Sequence, residues 1–152
     1  MNLAIWDIES SSASTDFGSI IEIGGVLVDE NFKEKDRFNL RCRLPEGEIF
    51  QAMALIVNKT SIKKLTQANL SHYQMLAEVE KIFKKWSPAI FLGWSNIGFD
   101  DEMIRKEFFK GIRYPYLTNA APNKRHDGIN IARAAYALAV SYTHLRAHET
   151  AT

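Results

Sequence analysis

Leu3-Ala4-Ile5-Trp6-Asp7-Ile8-Glu9 is an apolar run of β-forming residues that closes on two carboxylates. Its length and composition read as a buried strand, and the Ser10 to Ser14 stretch after it reads as a loop. Residues two apart on a strand share a face, so Asp7 and Glu9 crowd together at the strand end. A solvated strand end accounts for most such pairs. The alternative is a seat for a hard divalent cation, which takes carboxylate oxygens and relieves their repulsion.

Working outward, Ile20 to Val28 reads as a second strand and Asp29-Glu30-Asn31 as a turn. Phe38, Leu40, Cys42 and Leu44 alternate with polar residues, which completes a hairpin ending at Pro45. The period then changes. Ser61 precedes a short helical segment, and Leu76, Val79, Phe83 and Trp86 recur at steps of three and four in a long amphipathic helix that stops near Pro88. Ala89 to Trp94 is a further strand, and a helix from about Phe99 to Lys110 stops at Gly111. Arg113 to Asp127 reads as loop and Gly128 to Val140 as a last helix. Three strands in meander order, then helices alternating with strands, predict an α/β domain on a mixed sheet.

The chain has 152 residues, 46% hydrophobic and 24% charged, so it is neither disordered nor a disulfide scaffold. The lone Cys42 cannot pair internally, no charged start leads into an apolar signal core, and no apolar stretch approaches a bilayer span. A reducing cytoplasm is the expected setting. Residues 1 to 60 carry 10 acids and 6 bases, and residues 61 to 152 carry 8 acids and 13 bases. Charges of −4 and +5 suit a carboxylate site beside a basic surface, although unequal loops give similar splits.

A second acidic cluster, Gly93-Trp-Ser-Asn96-Ile-Gly-Phe99-Asp100-Asp101-Glu102, follows the strand at Ala89 to Trp94. Acids at a helix start complement the positive end of its dipole. The cluster also lies where open α/β sheets place their sites, so an Asp opening the helix could face the pair on the first strand. Asp101 and Glu102 are read as helix-start acids only, each expected to cost about 0.3 to 1 kcal/mol on replacement by alanine.

Trp6-Asp7-Ile8-Glu9 resembles the first motif of the DEDD-type 3′ to 5′ exonucleases, and Asn96-x-x-Phe99-Asp100 resembles their second. Tyr114-Pro115-Tyr116, Arg125-His126-Asp127 and Arg133-Ala134-Ala135-Tyr136-Ala137-Leu138 narrow the likeness to the bacterial exonuclease I branch, over roughly residues 3 to 139. The resemblance implies a ribonuclease-H-like fold and stepwise release of mononucleotides from the 3′ end of single-stranded DNA by a monomer. It further implies two Mg²⁺ or Mn²⁺ ions about 4 Å apart, held by Asp7, Glu9 and Asp100 as catalytic carboxylates. Ser10, Asn96 and Phe99 would contact the substrate. Two alternatives of the same fold stand beside this reading: an inactive nucleic-acid-binding module, and an RNA-directed exonuclease.

The departures are specific. The family's third motif, His-x-x-x-x-Asp, supplies a general base and a fourth carboxylate, and no match to it is found. Residues 140 to 152 are therefore read as an unrelated, disordered tail behind the N-terminal part of an exonuclease domain at residues 1 to 139, and this chain as inactive. His144 and Glu149 have the motif's offset and His144 and His148 the spacing of a zinc pair, both weak signals. Asn58 stands where the family usually has glycine near the substrate, Asp127 matches a family aspartate, and Asn130 replaces a frequent acid. Lys63, Lys64, Arg105, Lys106 and Lys110 are candidate phosphate contacts, and Phe17 and Phe99 candidate stacking rings.

Overall fold

The computed structural model describes the backbone of residues 1–149 and the side chains of residues 1–140. Among the described residues five strands form one sheet in the order β3-β2-β1-β4-β5. Strands β1 (Asn2–Ser10), β2 (Ile20–Val28) and β3 (Glu34–Arg41) are the antiparallel meander, while β4 (Ala89–Gly93) and β5 (Lys124–Asp127) run parallel to β1. This is the expected mixed α/β sheet.

Alternation on β1 sorts its side chains by face. Ala4, Trp6, Ile8 and Ser10 are buried, while Ile5 and Asp7 are exposed and Glu9 is half-buried. On the buried face lie α3 (His72–Trp86) and α4 (Asp100–Lys110), which contribute Met75, Val79, Phe83, Trp86, Met103 and Phe108 to the core. Phe83 is the hub, with its ring 4.9 Å from Phe91 and 5.7 Å from Trp6, both edge-on. A capping box starts α3: the Ser71 hydroxyl accepts from the Gln74 N–H, and the Gln74 side chain accepts from the Ser71 N–H. Cys42 is fully buried, and burial pushes its thiol up to about 12, so it serves packing.

Three elements differ from expectation. The polar run Lys124–Asp127, read as loop, is strand β5, because its partner β4 and not its own composition supplies the pairing. A helix α1 (Ala52–Val57) precedes α2 (Ile62–Thr66), although it buries no residue. Finally α5 (Gly128–Glu149) carries helical backbone beyond residue 140, where a disordered tail was expected; its alanines and leucines are strong helix formers. The side chains of His144, His148 and Glu149 lie outside the described residues. Residues 131–140 of α5 are all exposed, and so are Ile5 and Trp94 on the open face of the sheet. No helix among the described residues is long and apolar enough to cross a membrane.

The one-sided core makes a prediction. Phe83→Ala should cost about 3 to 5 kcal/mol in urea unfolding, whereas Ile131→Ala on the exposed helix should cost under about 0.5 kcal/mol. Equal costs would mean that α5 packs on the sheet.

Candidate active site

Parallel register sets Ile5 beside Leu92, so the carboxyl ends of β1 and β4 emerge side by side. The first releases Asp7 and Glu9, and the second leads through a short loop into Asp100. Electrostatics report their closeness. Asp100 is 7% exposed, and burial, then the charge of Asp7, raise its carboxyl to about 7, with Asp101, Glu9 and Asp127 adding to the effect. Glu9 is also raised, by burial and by the charges of Asp7 and Glu22.

Asp7 and Glu9 line a polar cleft of about 430 Å³ with Glu22, Arg41, Lys59 and Lys64. Glu22 is the cross-strand partner of Glu9, and Arg41 of β3 neutralises it in an ion pair. Neither was foreseen, although Glu22 and Gly24 share a face by their spacing of two. Beside the cleft, Glu9, Ser10 and Asn58 border an apolar slot of about 240 Å³ walled by Ile8, Met53, Val57 and Phe99. Lys64 thus lines the same cleft as Asp7 and Glu9, whereas Arg105, Lys106 and Lys110 lie along α4. Phe17 is exposed on the β1–β2 loop.

Asn58 fits its place through a bulge. The β1–β2 register shifts between Glu9 and Ser10, and the Asn58 side-chain amide donates to the Ser10 carbonyl at 2.9 Å. Glycine there would leave that bond unmade. The Ser10 hydroxyl donates inward to the Ser12 carbonyl at 2.7 Å.

Two residues of the second motif carry structural roles that the sequence did not show. Asn96, expected to touch substrate, is fully buried; its side-chain amide donates to Asp101 at 3.0 Å and its backbone carbonyl accepts from the Phe99 and Asp101 N–H groups. It shapes the turn that aims Asp100. The turn also needs Gly93, since a Cβ there would sit 2.5 Å from the Asn96 Cβ. Asp101, read as a helix-start acid, does stand in the first turn of α4, but it is 2% exposed and paired at 3.6 Å with Arg125 of β5. Burial pushes its carboxyl up to about 6 against the pull of Arg125. Glu102 does remain an outer acid, paired with Arg105.

Asp127, at the end of β5, accepts from the Ser95 N–H at 2.9 Å and the Ile129 N–H at 3.1 Å. It fixes the loop after β4 and opens α5, which places a further negative charge near Asp100. All-oxygen donors and a carboxyl driven up by burial and then by its acidic neighbours fit a hard divalent ion, so Asp7, Glu9 and Asp100 are the residues that would hold Mg²⁺ or Mn²⁺. Among the described residues, no three His, Cys, Asp or Glu side chains close into a ready-made ligand cage. Repulsion between uncompensated carboxylates acts against such closure.

Two substitutions separate these roles. Asp101→Ala should cost about 2 to 3 kcal/mol, because it strands Arg125 and the Asn96 amide, while metal affinity is nearly kept. Asp100→Asn should do the opposite without divalent ions. The folded carboxyl titrates near 7 against an ordinary 3.8, so folding is penalised progressively as pH rises from about 4 to about 7. The asparagine chain should therefore gain about 1 to 3 kcal/mol at pH 8 and almost nothing at pH 4, read from urea curves.

No known protein-family profile matches the chain. It is 22% identical over 140 residues to exodeoxyribonuclease I of Buchnera aphidicola subsp. Schizaphis graminum, covering 91% of this chain and 29% of that protein. Exodeoxyribonuclease I of Haemophilus influenzae is 24% identical over 136 residues, 88% of this chain and 28% of its own. The chain thus spans under a third of the length of these relatives. Among solved structures, E. coli exonuclease I in complex with a dA16 oligonucleotide superposes with a TM-score of 0.83 at 21% identity, over 90% of this chain and 30% of that one. A product-bound exonuclease I structure gives 0.82 at 20% identity, over 90% and 32%. The chain is thus similar in sequence to exodeoxyribonuclease I proteins and shares the fold of the matched part of E. coli exonuclease I.

Proposed function

We propose that this chain is the N-terminal part of a metal-dependent 3′ to 5′ exonuclease domain that hydrolyses phosphodiester bonds of single-stranded DNA. The observation that carries the proposal is the nearness of two separate motifs, Asp7 with Glu9 and Asp100, in one acidic neighbourhood where burial and the charge of Asp7 push Asp100 up to about 7. The names of the relatives support the substrate and the polarity.

Each group then has a task. Asp7, Glu9 and Asp100 would seat the ions, which supply an activated water and neutralise charge on the leaving oxygen when bound. Lys59 and Lys64 in the lining of the same cleft offset phosphate charge. The slot at Phe99, Met53 and Val57 takes the terminal base by apolar contact and stacking. Asn58 holds the Ser10 carbonyl between slot and cleft.

A proton acceptor is missing from this inventory. Among the described residues, no histidine lines either cavity that Glu9 borders. A general base is worth roughly 10²- to 10⁴-fold in rate, so the chain of 152 residues should turn over little or no substrate. This favours, for the chain as it stands, binding without catalysis.

The first test is metal. Asp7→Ala should lower Mn²⁺ affinity at least tenfold while keeping the melting temperature, since removing one of several crowded carboxylates relieves repulsion. Unchanged affinity would refute the site. The second is activity with Mg²⁺ on 5′-labelled single-stranded DNA, comparing this chain with one continued through a His-x-x-x-x-Asp motif. Ladder formation should require the longer chain. Strong activity in the short chain that His144→Ala abolishes would instead make its final residues a working third motif.

A further inference from the structure

One wall of the apolar slot is a weak element. Met53, Ala54 and Val57 of α1 line the slot together with Phe99, yet α1 has six residues and buries none of them. A helix shorter than about 12 residues is marginal in water by itself. Something other than core packing holds this wall in place.

Polar ties supply the hold, and they run to the loop between β1 and β2. At the end of α1, Asn58 donates to the Ser10 carbonyl. At its start, the Gln51 N–H donates to the Ser11 carbonyl at 3.0 Å, and the Gln51 side-chain oxygen accepts from the Ala13 N–H at 3.1 Å. Gln51 is exposed, so water competes for its side-chain bond. The protected tie is Glu48, three residues upstream. One of its carboxylate oxygens accepts from the Ser11 hydroxyl and the other from the Ser19 hydroxyl at 3.0 Å. Ser11 is fully buried, and its oxygen also accepts from the Ser19 N–H at 2.9 Å, so its proton is committed to Glu48. Bonds to an ionised acceptor are roughly twice as strong as neutral ones.

The interior gains nothing from this carboxylate. Glu107, 4% exposed and 3.4 Å from the His72 imidazole, is raised by burial; Lys110 opposes that rise and the charge of Glu48 adds to it. A side chain that works against a buried neighbour while gripping two loop hydroxyls is explained by the grip.

We propose that Glu48 is a positioning residue for the terminal nucleotide: by clamping Ser11 and Ser19 it fixes the chain that enters α1, and so sets the width of the slot in which the last base is held. Glu48 touches neither the carboxylates nor the slot lining, so it acts through α1 alone. The inference rests on the exonuclease reading of the slot and deepens it.

The test compares the unaltered chain, Glu48→Ala and Glu48→Gln by fluorescence anisotropy in Ca²⁺, with 5′-fluorescein (dT)6 and the same strand carrying an abasic 3′-terminal residue. In the unaltered chain the terminal base should be worth about tenfold in affinity. In Glu48→Ala the two strands should bind within about twofold of each other, while Glu48→Gln, whose amide oxygen still accepts from Ser11, should keep about fivefold. Mn²⁺ affinity should change less than about twofold in both variants, because Asp7 and Glu9 are fixed by the sheet, and circular dichroism checks that the fold is kept. A full base effect persisting in Glu48→Ala would overturn the proposal. So would a glutamine variant as impaired as the alanine one, which would make charge and not the clamp responsible, or a parallel loss of Mn²⁺ affinity, which would mean general damage to the site. Equal binding of both strands by the unaltered chain would show that the slot holds no base and end the positioning role. Binding of neither strand by that chain would instead refute the exonuclease reading itself.

Discussion

Parallel pairing between β1 and β4 is the constraint on which the rest depends. It joins residues some ninety positions apart and brings two carboxyl ends to one edge of the sheet. Everything chemical follows from what those ends carry: two acids on β1, and a turn that hands Asp100 to the first position of α4. The pairing is secured from the buried face, where Phe83 packs against Trp6 of β1 and Phe91 of β4 at once. Loss of that hub would loosen the register, and with it the carboxylate spacing.

The price of the arrangement is negative charge in a poorly solvated place. Asp100 carries most of it, raised by burial and by Asp7. The surroundings compensate selectively. Arg41 neutralises Glu22, Arg125 faces Asp101, and Asp127 is held by two N–H groups, so the acids that shape the site are paired. Asp7, Glu9 and Asp100 have no such ion pair among the described residues. A divalent ion supplies the compensation they lack, and this separates the proposed ligands from the acids around them.

The sheet and the two motifs were legible in the sequence because β1, β2 and β4 are apolar enough to announce themselves, and because Asp7 and Glu9 are fixed to one face by a period of two. What escaped was set by distant partners. Lys124–Asp127 looks like loop until β4 pairs with it. Asp101 looks like a solvated helix-start acid until Arg125 arrives from that same strand. Asn96 was recognised, but its hold on Asp101 and on the turn was not, since a motif position does not reveal a side chain's partners. Asn58 departs from the family's glycine, and only the bulge at Ser10 shows what its amide does there.

The central claim is that the raised Asp100 carboxyl yields its proton to a metal ion. Calorimetric titration of Mn²⁺ at pH 7, in two buffers of different ionisation enthalpy, measures that proton directly. A carboxyl titrating near 7 is partly protonated there, so binding should release a fraction of a proton per chain, and Asp100→Asn should abolish the release. Binding without proton release, or the same release from the asparagine chain, would contradict the account.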